Sequence, residues 1–213
     1  MSKHSPLRMS RPASALGSGC LALVLLAACD REPPDLPTGH VRWTGADGKA
    51  VLELRARDYG YALLDDARSL RARIHLPRNQ AVAKAFVVAG PVRIDLSGSL
   101  SRARGGRLRP ELHPMGLDLI EEAGTVGSRL RIDWPDAQSV TVLDRAGAVI
   151  GKARQEQPSG QKVAEPSTLL YCPDGSPRGK ITGFSVRPAA VFLLPDLDVL
   201  EKSALSVYLH RFR

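Results

Sequence analysis

The stretch V-L-E-L-R-A-R at residues 51–57 carries the pattern that decides the fold. From residue 52 onward, apolar residues alternate with charged ones. Because successive side chains of a strand point to opposite faces, this period of two predicts a strand with one buried face and one solvent-exposed face. The same alternation returns at residues 71–76, 92–97 and 129–134.

Turn sequences separate these runs. They include residues 46–48 (A-D-G), 89–91 (A-G-P) and 144–147 (D-R-A-G), the last of which connects two further apolar segments as a hairpin. Short strands at this spacing are typical of antiparallel sandwiches and barrels. We therefore expect one mainly β domain over residues 40–213, either sandwich-like or barrel-like.

Two segments depart from the alternating pattern. Residues 155–166 are polar and hold two prolines, which predicts a loop within the domain or a boundary between two subdomains. In residues 196–212 the apolar positions first follow a helical spacing and then alternate. We expect a short helical turn there, followed by a final strand.

The overall composition is that of a globular protein. The chain has 213 residues, of which 43% are apolar and 24% are charged. These values exclude a disordered chain, a collagen and a membrane protein with many spans. Aromatic residues make up only 5% of the chain, which argues against an aromatic surface that stacks bases or sugars.

The first 30 residues have the layout of an export signal. Residues 1–12 carry three basic residues and no acid, and residues 21–28 (L-A-L-V-L-L-A-A) are apolar. The following Leu26-Ala27-Ala28-Cys29 resembles the lipobox of bacterial lipoproteins. The resemblance implies that the Cys29 thiol receives a diacylglycerol, that the chain is cut before Cys29, and that the new amine receives a fatty acid such as palmitate. Ordinary cleavage and an uncleaved anchor are the alternatives.

The lipobox resemblance predicts the boundaries of three segments in the chain and the cellular location of the protein. Residues 1–28 would be the signal peptide, and residues 29–39 would be the lipidated cysteine and a proline-rich tether. The tether would hold the domain on the order of 30 Å from the bilayer. We expect a bacterial envelope protein, anchored by lipid and facing the periplasm. Asp30 resembles the inner-membrane retention signal of enteric bacteria, but inner and outer membrane both stay open.

Cys172 would be the one cysteine left outside the lipid anchor and the signal peptide. No disulfide within the mature chain is then possible. Apolar residues 169–171 precede Cys172, and we expect a buried, unreactive thiol.

Positive charge is concentrated in one stretch of the chain. The net charge falls from +8 to +5 because three basic residues and no acid leave with the signal peptide, and residues 67–109 hold ten basic residues but a single acid. Residues 100–109 (L-S-R-A-R-G-G-R-L-R) form a glycine-centred loop with four arginines: Arg102, Arg104, Arg107 and Arg109. Outward positions on nearby strands add three more: Arg71, Arg73 and Arg93.

These seven arginines are the predicted partner-binding residues. Guanidinium groups suit carboxylates and phosphates, so we expect an acidic protein or an anionic envelope component, and no nucleic acid. The alternative is a solvated surface. Replacing the four loop arginines with serine should leave thermal stability nearly unchanged, because substitutions at exposed positions cost little, and should sharply weaken partner binding.

No catalytic, cofactor or metal site can be assigned from the sequence. Ser159-Gly160-Gln161-Lys162 fits the S-x-x-K motif of penicillin-binding enzymes, but it lies in a Pro/Gly loop without its companion motifs. His113 and Met115 offer soft metal ligands without a third, and Asp196, Asp198 and Glu201 are typical of a helix start. We therefore expect a non-catalytic binding, assembly or inhibitor-type lipoprotein. The alternative is a small envelope hydrolase with a site invisible in the sequence.

Overall fold

The fold is an antiparallel barrel that encloses helices. A computed structural model describes residues 40–121, 129–133, 135–144, 146–156 and 165–212. Within these residues, fourteen strands follow one another around the barrel, and the first strand pairs with the last to close it. The strands are β1 (His40–Gly45), β2 (Ala50–Arg57), β3 (Gly60–Asp65), β4 (Leu70–His75), β5 (Ala85–Ala89), β6 (Val92–Asp95), β7 (Leu100–Ser101), β8 (Arg107–His113), β9 (Gly116–Glu121), β10 (Arg129–Asp133), β11 (Ser139–Leu143), β12 (Val149–Gln155), β13 (Ser167–Tyr171) and β14 (Pro177–Thr182). The predicted mainly β fold is confirmed in its barrel-like form.

Some of the sequence predictions lie outside the described residues. These are the signal peptide, the lipidation site Cys29, the tether, the S-x-x-K motif at residues 159–162 and most of the predicted loop or subdomain boundary at residues 155–166.

Six hairpin turns in the described residues share one geometry. In each, the amide of the fourth residue donates to the carbonyl of the first, and the amide of the first donates to the carbonyl of the fifth, as in Asp144–Ala148. The fourth residue has a positive φ, which glycine adopts without steric cost. It is Gly48, Gly98, Gly105, Gly147 or Gly175 in five turns and Arg68 in the sixth.

The alternating residues form the core as predicted. One face of each strand points into the barrel, where Leu54, Leu63 and Ile74 are fully buried. The same holds around the rest of the barrel for Ile94, Leu117, Ile132, Val142, Leu170 and Ile181.

The interior also holds the C-terminal helices. They are α2 (Val186–Ala190), a 3₁₀ helix (Val191–Leu193) and α3 (Val199–Phe212), whereas the short α1 (Gln80–Ala83) lies in the β4–β5 connection. Residues 201–209 of α3 are all buried, so the helix has no solvent face. α2 contacts β11, β12 and β13, and α3 contacts β5, β6 and α2. The helices therefore form a hairpin inside the barrel.

The expected final strand in residues 196–212 is wrong. A closed barrel has no free edge with which an inner strand could pair. Backbone groups inside it must find partners within their own segment, which a helix provides. The serines of α3 bond to nearby carbonyls, with Ser203 Oγ 2.7 Å from the Val199 oxygen and Ser206 Oγ 2.8 Å from the Pro188 oxygen.

The barrel has two distinct rims. The rim at which β1 begins, here called the N-terminal rim, carries the β2–β3, β4–β5, β6–β7, β8–β9, β10–β11 and β12–β13 connections. The opposite rim carries, among others, the β1–β2, β3–β4, β7–β8 and β13–β14 turns. α3 runs from the opposite rim, where Leu200 lies beside Gly90, to the N-terminal rim, where the Tyr208 hydroxyl lies beside Gly98.

Cys172 is half-buried rather than fully buried. It is a free cysteine at the first position of the β13–β14 turn, where its amide donates to the Ser176 carbonyl. The predicted full burial is wrong because the strand ends one residue earlier, at Tyr171.

Candidate functional site

A basic cleft on the outer wall is the best-formed candidate site. It has a volume of about 470 Å³ and lies over β2, β3 and β4. The strand register explains why it exists: the middle strand places Gly60 between Arg57 and His75, and Ala62 between Arg55 and Arg73. Small residues between long side chains leave a depression.

The cleft combines an apolar floor with cationic walls. Its floor includes the buried Ala62 and Leu64. Its lining also includes the exposed Leu70, together with Arg57, Tyr59, Arg73, His75 and one acid, Asp58. Among the described residues, neither the Arg57 nor the Arg73 guanidinium takes part in a hydrogen bond or an ion pair. Such a site can hold an anionic group attached to an apolar portion.

Arg73 is the one predicted partner-binding residue that lines the cleft. Arg71, two residues earlier on the same strand, is ion-paired instead, with its Nε 2.7 Å from Asp65 Oδ2. Arg93 lies on β6 between Val88 and Ser101 and is half-buried.

Two of the four loop arginines are paired on the outside of the barrel. Arg107 donates to the Asp95 carboxylate, and Arg109 Nη2 lies 2.7 Å from Glu111 Oε1. Burial opposes the ionised form of Asp95, but hydrogen bonds from Ser97 and Ser99 and the charge of Arg107 outweigh it and lower the pKa of Asp95. These pairs are solvent-exposed and contribute little to stability.

The other two loop arginines bind the C-terminal segment, Arg102 at α3 and the connection before it and Arg104 at that connection alone. The Arg102 guanidinium lies 3.1 Å from Glu201 Oε1 through Nε and 2.5 Å from the Asp196 carbonyl oxygen through Nη2. Arg104 donates to the same Asp196 carbonyl. Glu201 is completely buried, and the Arg102 side chain is only 9% exposed. The expectation that all four loop arginines can be replaced without a stability cost is therefore wrong for Arg102.

Glu201 also caps the start of α3, whose first residue is Val199. The Glu201 amide donates to Asp198 Oδ1 at 2.8 Å, and the Asp198 amide donates to Glu201 Oε2 at 3.1 Å. This is a reciprocal capping box, which confirms the predicted helix start. The buried carboxylate thus serves the backbone and Arg102 together.

A histidine–carboxylate pair lies elsewhere on the N-terminal rim. His113 Nε2 is 3.2 Å from Asp118 Oδ2. A hydrolytic triad also needs a hydroxyl bonded to the histidine, and the hydrogen bonds of His113 among the described residues include none. The part of the chain that the structure describes also holds no cluster of three metal-ligating side chains.

The sequence did not reveal Arg57, Tyr59 and His75 as neighbours in a cleft. Alternation places Arg57 and His75 on the outer face, but only the pairing register shows that Gly60 separates them. The glycine at the start of residues 60–62 (G-Y-A) was the available signal, because a glycine in a strand often marks a close approach or a gap.

Comparisons with protein-family models, with curated proteins and with solved structures gave no match. Among the described residues, no helix is both long and apolar enough to cross a membrane.

Proposed function

We propose that this protein is a lipid-anchored lipoprotein of the bacterial envelope whose barrel is a non-catalytic binding module. The signal-like residues 1–28 and the lipobox-like sequence before Cys29 support the anchor. The basic cleft, with two arginines that have no partner among the described residues, supports the binding role. This unneutralised charge above an apolar floor is the observation that carries the proposal.

The ligand is an anion with an apolar portion. The Arg57 and Arg73 guanidinium groups can each donate two parallel hydrogen bonds to a carboxylate or a phosphate. In the periplasm, lipid headgroups and lipopolysaccharide supply phosphates, and peptidoglycan peptides supply carboxylates. Because the cleft is open to solvent, binding should weaken as salt screens the charges.

Calorimetric titration with two soluble probes tests the cleft. The probes are dihexanoyl phosphatidylglycerol for phosphate and a muropeptide for carboxylate. Replacing both Arg57 and Arg73 with serine should weaken binding of the preferred probe at least tenfold. Arg42→Ser is the matched control, since Arg42 is exposed on the outer face of β1, outside the cleft, and should bind as the parent does. Equal binding by parent and double variant would refute the cleft as the site.

Mass spectrometry of the chain from bacterial membranes tests the anchor. We expect a mature protein that begins at Cys29 and carries three fatty chains. Cys29→Ala should accumulate as an uncut precursor or leave the membrane fraction. An unmodified amino terminus at another residue would refute lipidation.

A further inference from the structure

We propose that the N-terminal rim of the barrel docks on the surface of an anionic lipid bilayer. This inference rests on the proposed membrane anchor and adds an orientation of the domain to it. It is carried by the position of exposed apolar side chains, by charge, and by the place where the chain joins the barrel.

Four successive connections on this rim each project one large apolar side chain. They are the β2–β3, β4–β5, β6–β7 and β8–β9 connections. The four side chains and their exposed fractions are Tyr59 (43%), Val82 (78%), Leu96 (47%) and Met115 (55%). Exposed turn tips are usually polar, so one apolar residue in each of four neighbouring tips indicates a shared apolar contact.

Basic residues surround the first two tips. Arg57, Arg78 and Lys84 are all exposed near Tyr59 and Val82, against a single exposed acid in the same two connections, Asp58. The Arg78 guanidinium lies 3.7 Å from the centroid of the Tyr59 ring. A tyrosine and an arginine side by side fit the interface of a bilayer, where the ring contacts acyl chains and the cation contacts phosphate.

The opposite rim lacks this combination. It also exposes apolar side chains, namely Val51, Leu70 and Val199. In its β1–β2 and β3–β4 turns, however, each exposed carboxylate is matched by an exposed cation: Asp47 by Lys49, and Asp66 by Arg68. The N-terminal rim also exposes a carboxylate in another connection, Asp136 between β10 and β11, but its tips with Tyr59 and Val82 carry an excess of positive charge. Apolar tips with a local positive excess therefore favour the N-terminal rim as the side that meets an anionic bilayer.

The covalent path from the proposed anchor leads to the same rim. His40 begins β1 there, eleven residues after Cys29. Even a fully extended connection of that length spans at most about 40 Å. The lipid would therefore keep this rim within reach of the membrane. Tethering raises the effective concentration of the rim at the bilayer surface, so even a weak contact between them would form.

Fluorophores at single cysteines would show which rim meets the lipid. The full-length chain carries Cys20→Ser, Cys172→Ser and one new cysteine, at residue 82, 96 or 115 on the N-terminal rim, or at residue 51 or 199 as matched apolar controls outside the cleft. A parallel set also carries Cys29→Ser, so that the new cysteine is its single thiol. The purified proteins are reconstituted in vesicles of phosphatidylglycerol and phosphatidylethanolamine that contain a spin-labelled lipid. We expect at least threefold stronger quenching of the N-terminal rim probes than of the controls, and less quenching in purely zwitterionic vesicles.

Aspartate substitutions at the apolar tips provide a second test of docking. In the chain labelled at residue 96, Val82→Asp with Met115→Asp should abolish the quenching, whereas Val51→Asp with Val199→Asp should leave it unchanged. All four positions are exposed, so the variants should fold. Equal quenching at both rims would overturn the proposal. So would shielding of the N-terminal rim probes in detergent alone, which would indicate an interface between two copies.

The mass of the same preparation separates the two proposals. A lipidated Cys29 with equal quenching at both rims refutes docking and keeps the anchor. An unmodified chain whose N-terminal rim is still quenched by vesicles refutes the anchor and supports docking. A chain that is neither lipidated nor quenched refutes both.

Discussion

At the scale of single residues, Arg102 should matter more for stability than any other arginine of its loop. Arg102→Ala leaves the Glu201 carboxylate buried without its cation, and breaking a buried pair in this way costs about 3–5 kcal/mol. The free energy of unfolding, measured by urea denaturation, should fall by that amount.

Arg107→Ala is the internal control for this prediction. Its ion pair with Asp95 is exposed, so the loss should stay below about 1 kcal/mol. A similar cost for both substitutions would contradict a buried structural role for Arg102.

His210 should make the protein less stable in mild acid. Burial, together with the charge of Arg211, lowers the pKa of His210 from its ordinary value of 6.5. Below pH 6.5 the unfolded chain therefore binds a proton that the folded chain does not yet bind, and stability falls as the pH falls. His210→Phe keeps a ring beside Phe184, whose centroid lies 5.1 Å from that of His210. The variant should lose less stability than the parent between about pH 7.5 and pH 5.5; an equal loss would exclude His210 as the cause.

Some roles of single residues could be predicted from the sequence, and others could not. Glycines after an aspartate predicted the hairpin turns, because a positive φ favours glycine whatever surrounds the turn. The role of Arg102 could not be predicted, because its partner Glu201 lies 99 positions later in the chain. Arg102 and Arg107 look alike in the sequence, and only the interior helices distinguish them.

At the scale of elements, the strands and the start of the last helix could be predicted, but the full length of that helix could not. A strand with one wet face shows its period of two in the sequence. α3 is buried on all sides, so no polar face marks its period of 3.6. Residues 205–210 alternate by chance, which favoured a strand that the closed barrel cannot accommodate.

α3 should be the slowest part of the chain in hydrogen exchange, although it lies near the C-terminus. Its amides at residues 201–209 are buried within the barrel, so their exposure requires the barrel to open. Exchange there should report the free energy of global unfolding, whereas the amide of Gly147 in an exposed turn should exchange much faster. Similar rates at the two places would contradict an enclosed helix.

At the scale of the whole molecule, closure of the barrel depends on two glycines, Gly179 in β14 and Gly183 directly after it. A Cβ at Gly179 would collide with the Thr44 carbonyl oxygen, and one at Gly183 would collide with the His40 carbonyl oxygen. Both residues also have a positive φ. Either glycine changed to alanine should lower the free energy of unfolding by more than about 3 kcal/mol.

Gly147→Ala separates backbone strain from collision. Its φ is also positive, but the space around it is open. The loss should therefore be about 1 kcal/mol, from the left-handed conformation alone. Equal losses at Gly147 and Gly179 in thermal or urea denaturation would show that the contact between β1 and β14 is not the critical one.

The helical hairpin inside the barrel also constrains the order in which the protein can form. The helices that fill the centre follow β14 in the chain, so they leave the ribosome after all the described strands. A product that stopped after β14 would lack these helices, so it would expose the inward apolar faces and tend to aggregate. Complete assembly must therefore wait until the helices have been synthesised. Because β1 must find a partner more than 130 positions away, we expect this maturation to be slow.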